Sequence, residues 1–221
     1  MTEVASTAKL ARPGSAANWL IPAGLLALAF IPILGGAVRL VSLTGGAEIT
    51  PDNVRFLSSP IPVILHVFSV TIYAILGAFQ FSPGFRRRWP AWHRGAGRIL
   101  VVAGLVAALS GLWMAMFYAI VPADSALLHA FRLLFGTAMA ISIVLGLAAI
   151  RQRRVSEHQA WMRRAYAIGM GAGTQALIQI PYIMLVGKPD SSALALLMGG
   201  AWVLNLAVAE WLIRRQRIGS S

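Results

Sequence analysis

Four histidines are the residues of this chain whose type and spacing suit redox or metal chemistry. They are its only histidines in 221 residues, and each stands near the start of a different long apolar segment: His66, His93, His129 and His158. Imidazole ligates metals, relays protons and titrates near physiological pH, and ionisable groups in membrane segments usually mark functional sites. The even distribution of the four histidines therefore predicts that they share one function.

The apolar segments that carry the histidines are long enough to cross a membrane. The chain is 58% hydrophobic and 12% charged, whereas soluble domains carry about 25% charged residues. Because ~20 apolar residues span a bilayer as a helix, we predict an all-α bundle of six transmembrane helices with helices 2–5 as a four-helix core. Residues 18–217 form one integral membrane domain, and residues 1–17 a disordered cytoplasmic tail. The six predicted spans are 18–41, 60–82, 95–121, 125–150, 160–186 and 193–213.

The basic residues predict the orientation of these spans. Of the 19 lysines and arginines, 15 fall in the N-terminal tail, around the second-to-third and fourth-to-fifth connections, and after the last span. By the positive-inside rule, both termini of this multi-pass protein face the cytoplasm of a bacterial inner membrane. The net charge of +12 is then explained by topology and by contact with anionic lipid headgroups, and we expect no nucleic-acid partner.

Alternating span directions place His66 and His129 near the outer face, and His93 and His158 near the cytoplasmic face. Two imidazoles on facing helices are the axial ligands that a six-coordinate b-type haem requires. The chain has no cysteine, which excludes disulfides, iron–sulfur clusters, covalent c-type haem and thiolate zinc sites. The pattern therefore predicts two haem b groups that carry electrons across the bilayer.

Polar residues near the four histidines are candidates for contacts with the haem propionates. Arg39 and Arg132 fall on the outer side with His66 and His129, while Arg94, Arg98, Arg163 and Arg164 fall on the cytoplasmic side. Gln80 ends the helix face that begins at His66. Arginines at helix ends also extend to lipid headgroups, so this pattern alone leaves both roles open.

Small residues recur at a fixed distance from the histidines. Gly77, Gly104 and Gly169 each lie eleven residues after a histidine, and Ala140 takes that place after His129. Eleven residues make almost three helical turns, so each small residue shares a face with its histidine. Such stripes indicate close helix packing or room for a flat macrocycle.

Short motifs in this chain resemble a large family of predicted bacterial membrane proteins. They are Gly77-Ala78-Phe79-Gln80-Phe81, His93-Arg94-x-x-Gly97-Arg98 and His158-x-x-Trp161-Met162-x-Arg164, within residues 60–185. The layout of one histidine per helix is also similar in topology to the ascorbate-reducible cytochrome b family. That resemblance implies six helices, with His66 paired to His129 on one haem and His93 to His158 on the other. The loop motifs of the ascorbate-reducing members are absent here, which leaves the electron donor open.

Three functions are compatible with these patterns. The first is transmembrane electron transfer between an acceptor and a small-molecule or quinol donor, which would make the chain a membrane oxidoreductase, alone or as an oligomer. The second is a haem-free membrane enzyme or metal-binding protein that uses His93, Glu157, His158 and adjacent arginines on a phosphorylated or lipid substrate. The third is a non-catalytic transporter or scaffold, which the scarcity of carboxylates within the spans disfavours.

Overall fold

The computed structural model describes residues 17–46, 48–51, 53–121 and 124–218, and all regular structure in these ranges is helical. Nearly all of the predicted N-terminal tail lies outside the described residues. The helices, in chain order, are α1 (Ala17–Thr44), α2 (Val54–Ser58), α3 (Pro60–Gln80), α4 (Pro83–Arg88), α5 (Pro90–Phe117), α6 (Ala126–Arg151), α7 (Val155–Gly169), α8 (Gly171–Leu185) and α9 (Ser191–Ile218).

Five of these helices are long and apolar enough to cross a membrane, which makes the chain a multi-pass membrane protein. These candidate spans are Trp19–Thr44, Pro60–Gln80, Pro90–Phe117, Ala126–Arg151 and Ser191–Gln216. They coincide with five of the six predicted spans. Prolines and capping side chains determine where several of these helices begin. Pro60 and Pro90 occupy the first turns of α3 and α5, where a helix does not need the N–H that proline lacks. The Ser125 side chain accepts the Leu128 N–H at 3.2 Å as the cap of α6.

The predicted fifth span, 160–186, is two helices of 15 residues each in the structure. Only Met170 separates α7 from α8, with φ −79° and ψ 0°. The two halves differ in character because α7 carries Glu157, Arg163 and Arg164 whereas α8 is apolar. The prediction of one uniform apolar helix was therefore too simple.

The helices that carry the histidines are neighbours in the structure. Helix α3 packs against α5, α5 against α6, and α6 against α7, while α7 also reaches α3. Helix α1 lies on α3 and α8, and α9 covers α6, α7 and α8. The buried core between the histidine-bearing helices includes Tyr73, Met139, Ile143 and Tyr166.

Candidate functional site

His66 is held by helix α5 through one ring nitrogen. Its Nδ1 lies 2.9 Å from the carbonyl oxygen of Ala107 and 3.2 Å from Oγ of Ser110. A carbonyl oxygen only accepts hydrogen bonds, so Nδ1 carries the proton in this contact. In a neutral imidazole the lone pair is then on Nε2, the nitrogen that a metal can bind.

His158 has the same local chemistry at the other end of the bundle. It lies in the first turns of α7, and its Nδ1 is 2.9 Å from the carbonyl oxygen of Gly146 on α6. This contact again assigns the proton to Nδ1 and the lone pair of the neutral ring to Nε2. A backbone carbonyl of a neighbouring helix thus orients both His66 and His158.

His93 lies in the first turn of α5, near His158. His158 is close enough to act on His93 electrostatically, as are Arg86 and Arg94. Gln80 donates from Nε2 to the backbone oxygen of His93 at 3.5 Å, which joins the end of α3 to the start of α5. The Nδ1 atom of His93 is buried, and no group within the described ranges hydrogen-bonds to it.

His129 lines a pocket at the end of the bundle where α5 ends and α6 begins. The pocket has a volume of about 20 Å³ and is also lined by Arg55, Asp124 and Arg132. In the part of the chain that the structure describes, no hydrogen bond joins His129 to His66. Both nevertheless lie against α5, His66 beside Ala107 and His129 beside Met114 and Ala115.

The charged groups of this pocket form an ion-pair cluster centred on Asp124, which we call the Asp124 cluster (Arg55, Asp124 and Arg132). Arg55 Nη1 donates to Oδ2 of Asp124 at 3.0 Å, and Arg132 Nη2 donates to Oδ1 at 2.9 Å. Burial alone would raise the pKa of the Asp124 carboxyl, but the hydrogen bonds from both arginines outweigh it, so the pKa lies below its ordinary value. The carboxylate is therefore ionised at neutral pH.

The predicted propionate partners have differing surroundings. The Arg39 guanidinium lies 4.4 Å from the centre of the Phe56 ring, and Arg98 is exposed. Arg164 donates to both carboxylate oxygens of Glu210 on α9, from Nη2 at 3.1 Å and from Nε, and it covers the Trp161 ring at 4.6 Å. Arg132 is engaged by Asp124. Arg98 thus keeps an exposed charge, while Arg132 and Arg164 already bind carboxylates of this chain.

The glycine stripe is mainly a packing surface. A methyl group added at Gly77 would overlap the Tyr166 ring, and one at Gly104 would overlap Tyr73 and Ile143. A methyl at Gly97, one turn after His93, would meet nothing within 4 Å. The middle of the bundle is therefore closely packed, whereas Gly97 has open space around its Cα.

One comparison with known proteins identifies a family. The model of a family described as predicted membrane protein (DUF2306) matches residues 63–213, which is more than half of the chain. The chain belongs to this family. No curated protein and no solved structure matches it. The matched region includes all four histidines. The predicted resemblance to a family of membrane proteins is therefore confirmed.

Sequence reasoning missed the Asp124 cluster and the two central tyrosines. Spacing along the chain does not reveal the Asp124 cluster, because Arg55 and Asp124 are 69 residues apart. The two tyrosines could have been found from their spacing. Tyr73 follows His66 by seven residues and Tyr166 follows His158 by eight, about two helical turns in each case, so each tyrosine lies on the same helix face as its histidine. Among the described residues, no group of three or more histidine, cysteine or acidic side chains forms a metal site.

Proposed function

We propose that this chain is a six-span b-type cytochrome of the bacterial inner membrane that holds two haem b groups and carries electrons between the membrane faces. The observation that supports it best is the paired hydrogen bonding of His66 to Ala107 and of His158 to Gly146. Each bond fixes a ring and leaves Nε2 available, as is usual for histidines that ligate a metal. Bound haem would supply one-electron chemistry that the side chains lack.

We infer that α7 and α8 together make one interrupted span. Their combined range, 155–185, is separated only at Met170 and is long enough to cross a bilayer. With six spans both termini lie on one side, and the basic residues place that side in the cytoplasm. The end with His93 and His158 is then cytoplasmic, in contact with anionic lipids, and the end with the Asp124 cluster faces outward.

The packing order of α3, α5, α6 and α7 supports a four-helix core. In a ring of this order α3 lies across from α6, and α5 across from α7, so His66 pairs with His129 and His93 with His158. A bis-histidine haem needs ligands from opposite sides, which such diagonal helices provide. The rings of Tyr73 and Tyr166 pack together in the middle and would keep the two sites apart.

The cytoplasmic pair fits a haem better than the outer pair does. His93 and His158 act on one another electrostatically, and a methyl group added at Gly97, one turn after His93, would meet nothing within 4 Å. At the outer end, the pocket beside His129 has a volume of about 20 Å³, far below the ~300–1,000 Å³ of sites for drug-sized ligands. An outer haem therefore requires α3 and α6 to separate, and we expect it to bind less tightly than the inner one.

The side chains around the cytoplasmic pair have distinct roles in this proposal. The exposed Arg94 and Arg98 would neutralise the propionates, whereas Arg164 is committed to Glu210. Gln80 would hold the first turn of α5 through the backbone of His93. On the outer side Arg39 is the better propionate partner, because Arg132 already pairs with Asp124. The donor would be a small reductant or a quinol.

A second candidate function is a haem-free activity on a phosphorylated or lipid substrate at the cytoplasmic face. It is favoured by the buried His93 Nδ1, which has no hydrogen-bond partner in the described chain and has Arg86 and Arg94 nearby. A ring N–H that lies in the positive field of two arginines would bind phosphate oxygens. Colourless protein that binds inorganic phosphate only while His93 is present would favour this function.

Single histidine variants test the cytochrome proposal. We expect His66→Ala and His158→Ala each to lose about one of two haems, and the double variant to lose both. Gln159→Ala, a neutral change beside His158 on α7, is the matched control and should keep both. Haem is quantified after extraction from purified protein. Full haem content in His66→Ala and His158→Ala would contradict the assignment of these ligands.

A further inference from the structure

The ring of His66 rests against one face of α5, which is formed by Ala107, Ser110 and Gly111. Residues three and four apart are neighbours on a helix surface, so these three lie together on one side of α5. A methyl group added at Gly111 would lie 3.2 Å from Cε1 and 3.5 Å from Nδ1 of His66. The imidazole therefore packs closely on the α5 backbone, and this lets both the Ala107 carbonyl and the Ser110 hydroxyl reach Nδ1.

The hydroxyl of Ser110 acts as an acceptor in its contact with His66. Its Oγ lies 2.6 Å from the backbone oxygen of Val106 and 3.1 Å from that of Ala107. Oxygens this close share a proton, and a serine hydroxyl has only one. That proton is directed to the nearer oxygen, of Val106, so a lone pair of Oγ faces Nδ1 of His66 at 3.2 Å. Nδ1–H of His66 thus has two acceptors, both on α5.

These two acceptors disfavour the other neutral tautomer of His66. In the Nε2–H form the lone pair of Nδ1 would face the oxygens of Ala107 and Ser110, and neither oxygen has a proton to offer it. A buried acceptor left without a donor destabilises the form that contains it. Within the described ranges, His158 has a single acceptor at its ring, the Gly146 carbonyl. The serine contact therefore distinguishes His66 from His158.

From these contacts we propose that Ser110 is a positioning residue that keeps His66 in the Nδ1–H tautomer, with Nε2 free to ligate. Ser110 acts only through the imidazole and is not itself a ligand. A ligating histidine must present an unprotonated nitrogen, and a partner at its other nitrogen fixes the ring and raises its basicity. The tautomer follows from the contacts with α5 alone, whereas the use of Nε2 as a haem ligand rests on the proposed function.

Nitrogen-15 NMR of the full chain with labelled histidine, free of haem and at about pH 8, measures the tautomer of neutral His66. Protonated and unprotonated ring nitrogens have well-separated chemical shifts, and the His66 signals are those that His66→Gln lacks. We expect the Nδ1–H form to predominate in the unmodified protein and in Ser110→Thr, which keeps the hydroxyl. Ser110→Ala should raise the ratio of the Nε2–H form to the Nδ1–H form about fivefold, the effect of losing one ordinary hydrogen bond.

Ser69→Ala is the matched control. Ser69 is also buried, but its hydroxyl donates to the backbone oxygen of His66 at 3.0 Å and not to the ring. The tautomer ratio in Ser69→Ala should equal that of the unmodified protein, and thermal unfolding shows whether each variant is folded. An Nε2–H majority in the unmodified protein, an unchanged ratio in Ser110→Ala, an equal change in Ser69→Ala, or a ratio in Ser110→Thr like that of Ser110→Ala would each overturn the proposal.

Redox titration of haem-loaded protein separates this inference from the cytochrome proposal. Because a hydrogen bond from Nδ1–H raises the basicity of the ligand, Ser110→Ala should raise the midpoint potential of one haem and leave the other unchanged. If the chain binds no haem, the cytochrome proposal fails, and a shifted tautomer ratio in Ser110→Ala still supports the role of Ser110. Two bound haems together with an unshifted ratio would overturn the Ser110 proposal alone.

Discussion

Tyr73 on α3 and Tyr166 on α7 have ring centroids 5.6 Å apart, and each ring covers a glycine of the other's helix. The ring of Tyr166 lies over Gly77, and that of Tyr73 over Gly169. The Tyr166 hydroxyl also donates to the backbone oxygen of Ala74 at 2.9 Å. These contacts join α3 to α7, so the glycines eleven residues after His66 and His158 accommodate tyrosine rings.

Adding a methyl group at Gly77 should lower stability because the methyl would overlap the Tyr166 ring, against which Tyr73 and Phe81 pack. Overpacking of a filled core costs about 1–3 kcal/mol, so Gly77→Ala should unfold at a clearly lower temperature. Gly35→Ala on α1 is the control, as its new methyl would meet nothing within 4 Å. Equal thermal midpoints for the two variants would mean that the tyrosine–glycine contacts do not hold α3 to α7.

Tyr166→Phe should have a smaller effect than Gly77→Ala. The substitution removes the hydrogen bond to Ala74 and keeps the ring, so we expect a loss of about 1 kcal/mol. Thermal unfolding followed by tryptophan fluorescence measures the difference. A loss as large as that of Tyr166→Ala would show that the hydroxyl, and not the ring, carries this contact.

The stability contributed by Asp124 should depend on pH. The pKa of Asp124 is lower in the folded protein than its ordinary value, so its ionised form stabilises the fold above the unfolded pKa of ~4. This stability is lost as the pH falls through the folded pKa. The midpoint difference between the unmodified protein and Asp124→Asn should thus be constant near neutral pH and shrink in acid. A difference that grows with acidification would refute the ion-pair account.

The positions of the long apolar helices are the part of this fold that the sequence predicts most directly. The predicted span 60–82 corresponds to α3 at Pro60–Gln80, and the predicted 125–150 to α6 at Ala126–Arg151. Both agree because a membrane helix must satisfy its backbone internally over the full hydrocarbon thickness. The prediction was less accurate at 95–121, since α5 begins at Pro90 in a charged stretch that hydropathy does not reveal.

Contacts between distant residues could not be predicted in the same way. Asp124 pairs with Arg55 across 69 residues, and Arg164 pairs with Glu210 across 46. No periodicity specifies such partners, because they depend on how the helices are arranged around one another. For the histidines, spacing indicated which helices carry them, while only the structure shows which carbonyl holds each Nδ1.

The proposed orientation predicts the location of each loop. Fusions of a reporter at residues 90 and 155 and after residue 218 should be cytoplasmic, and fusions near residues 50 and 189 external, because basic residues are retained on the inside. Activity of a periplasm-specific and a cytoplasm-specific reporter at each site gives the comparison. An external signal at residue 155 would place His158 at the outer face and end the proposed pairing with His93.

The haem content of the purified chain is the most direct test of the central claim. Protein from haem-replete cells is examined by its reduced-minus-oxidised visible spectrum, and haem is counted against protein by pyridine haemochrome. Two bis-histidine sites predict b-type bands and about two haems per chain, with the inner haem retained longer on dilution into detergent. Colourless protein that binds no haem when supplied with it would contradict the account.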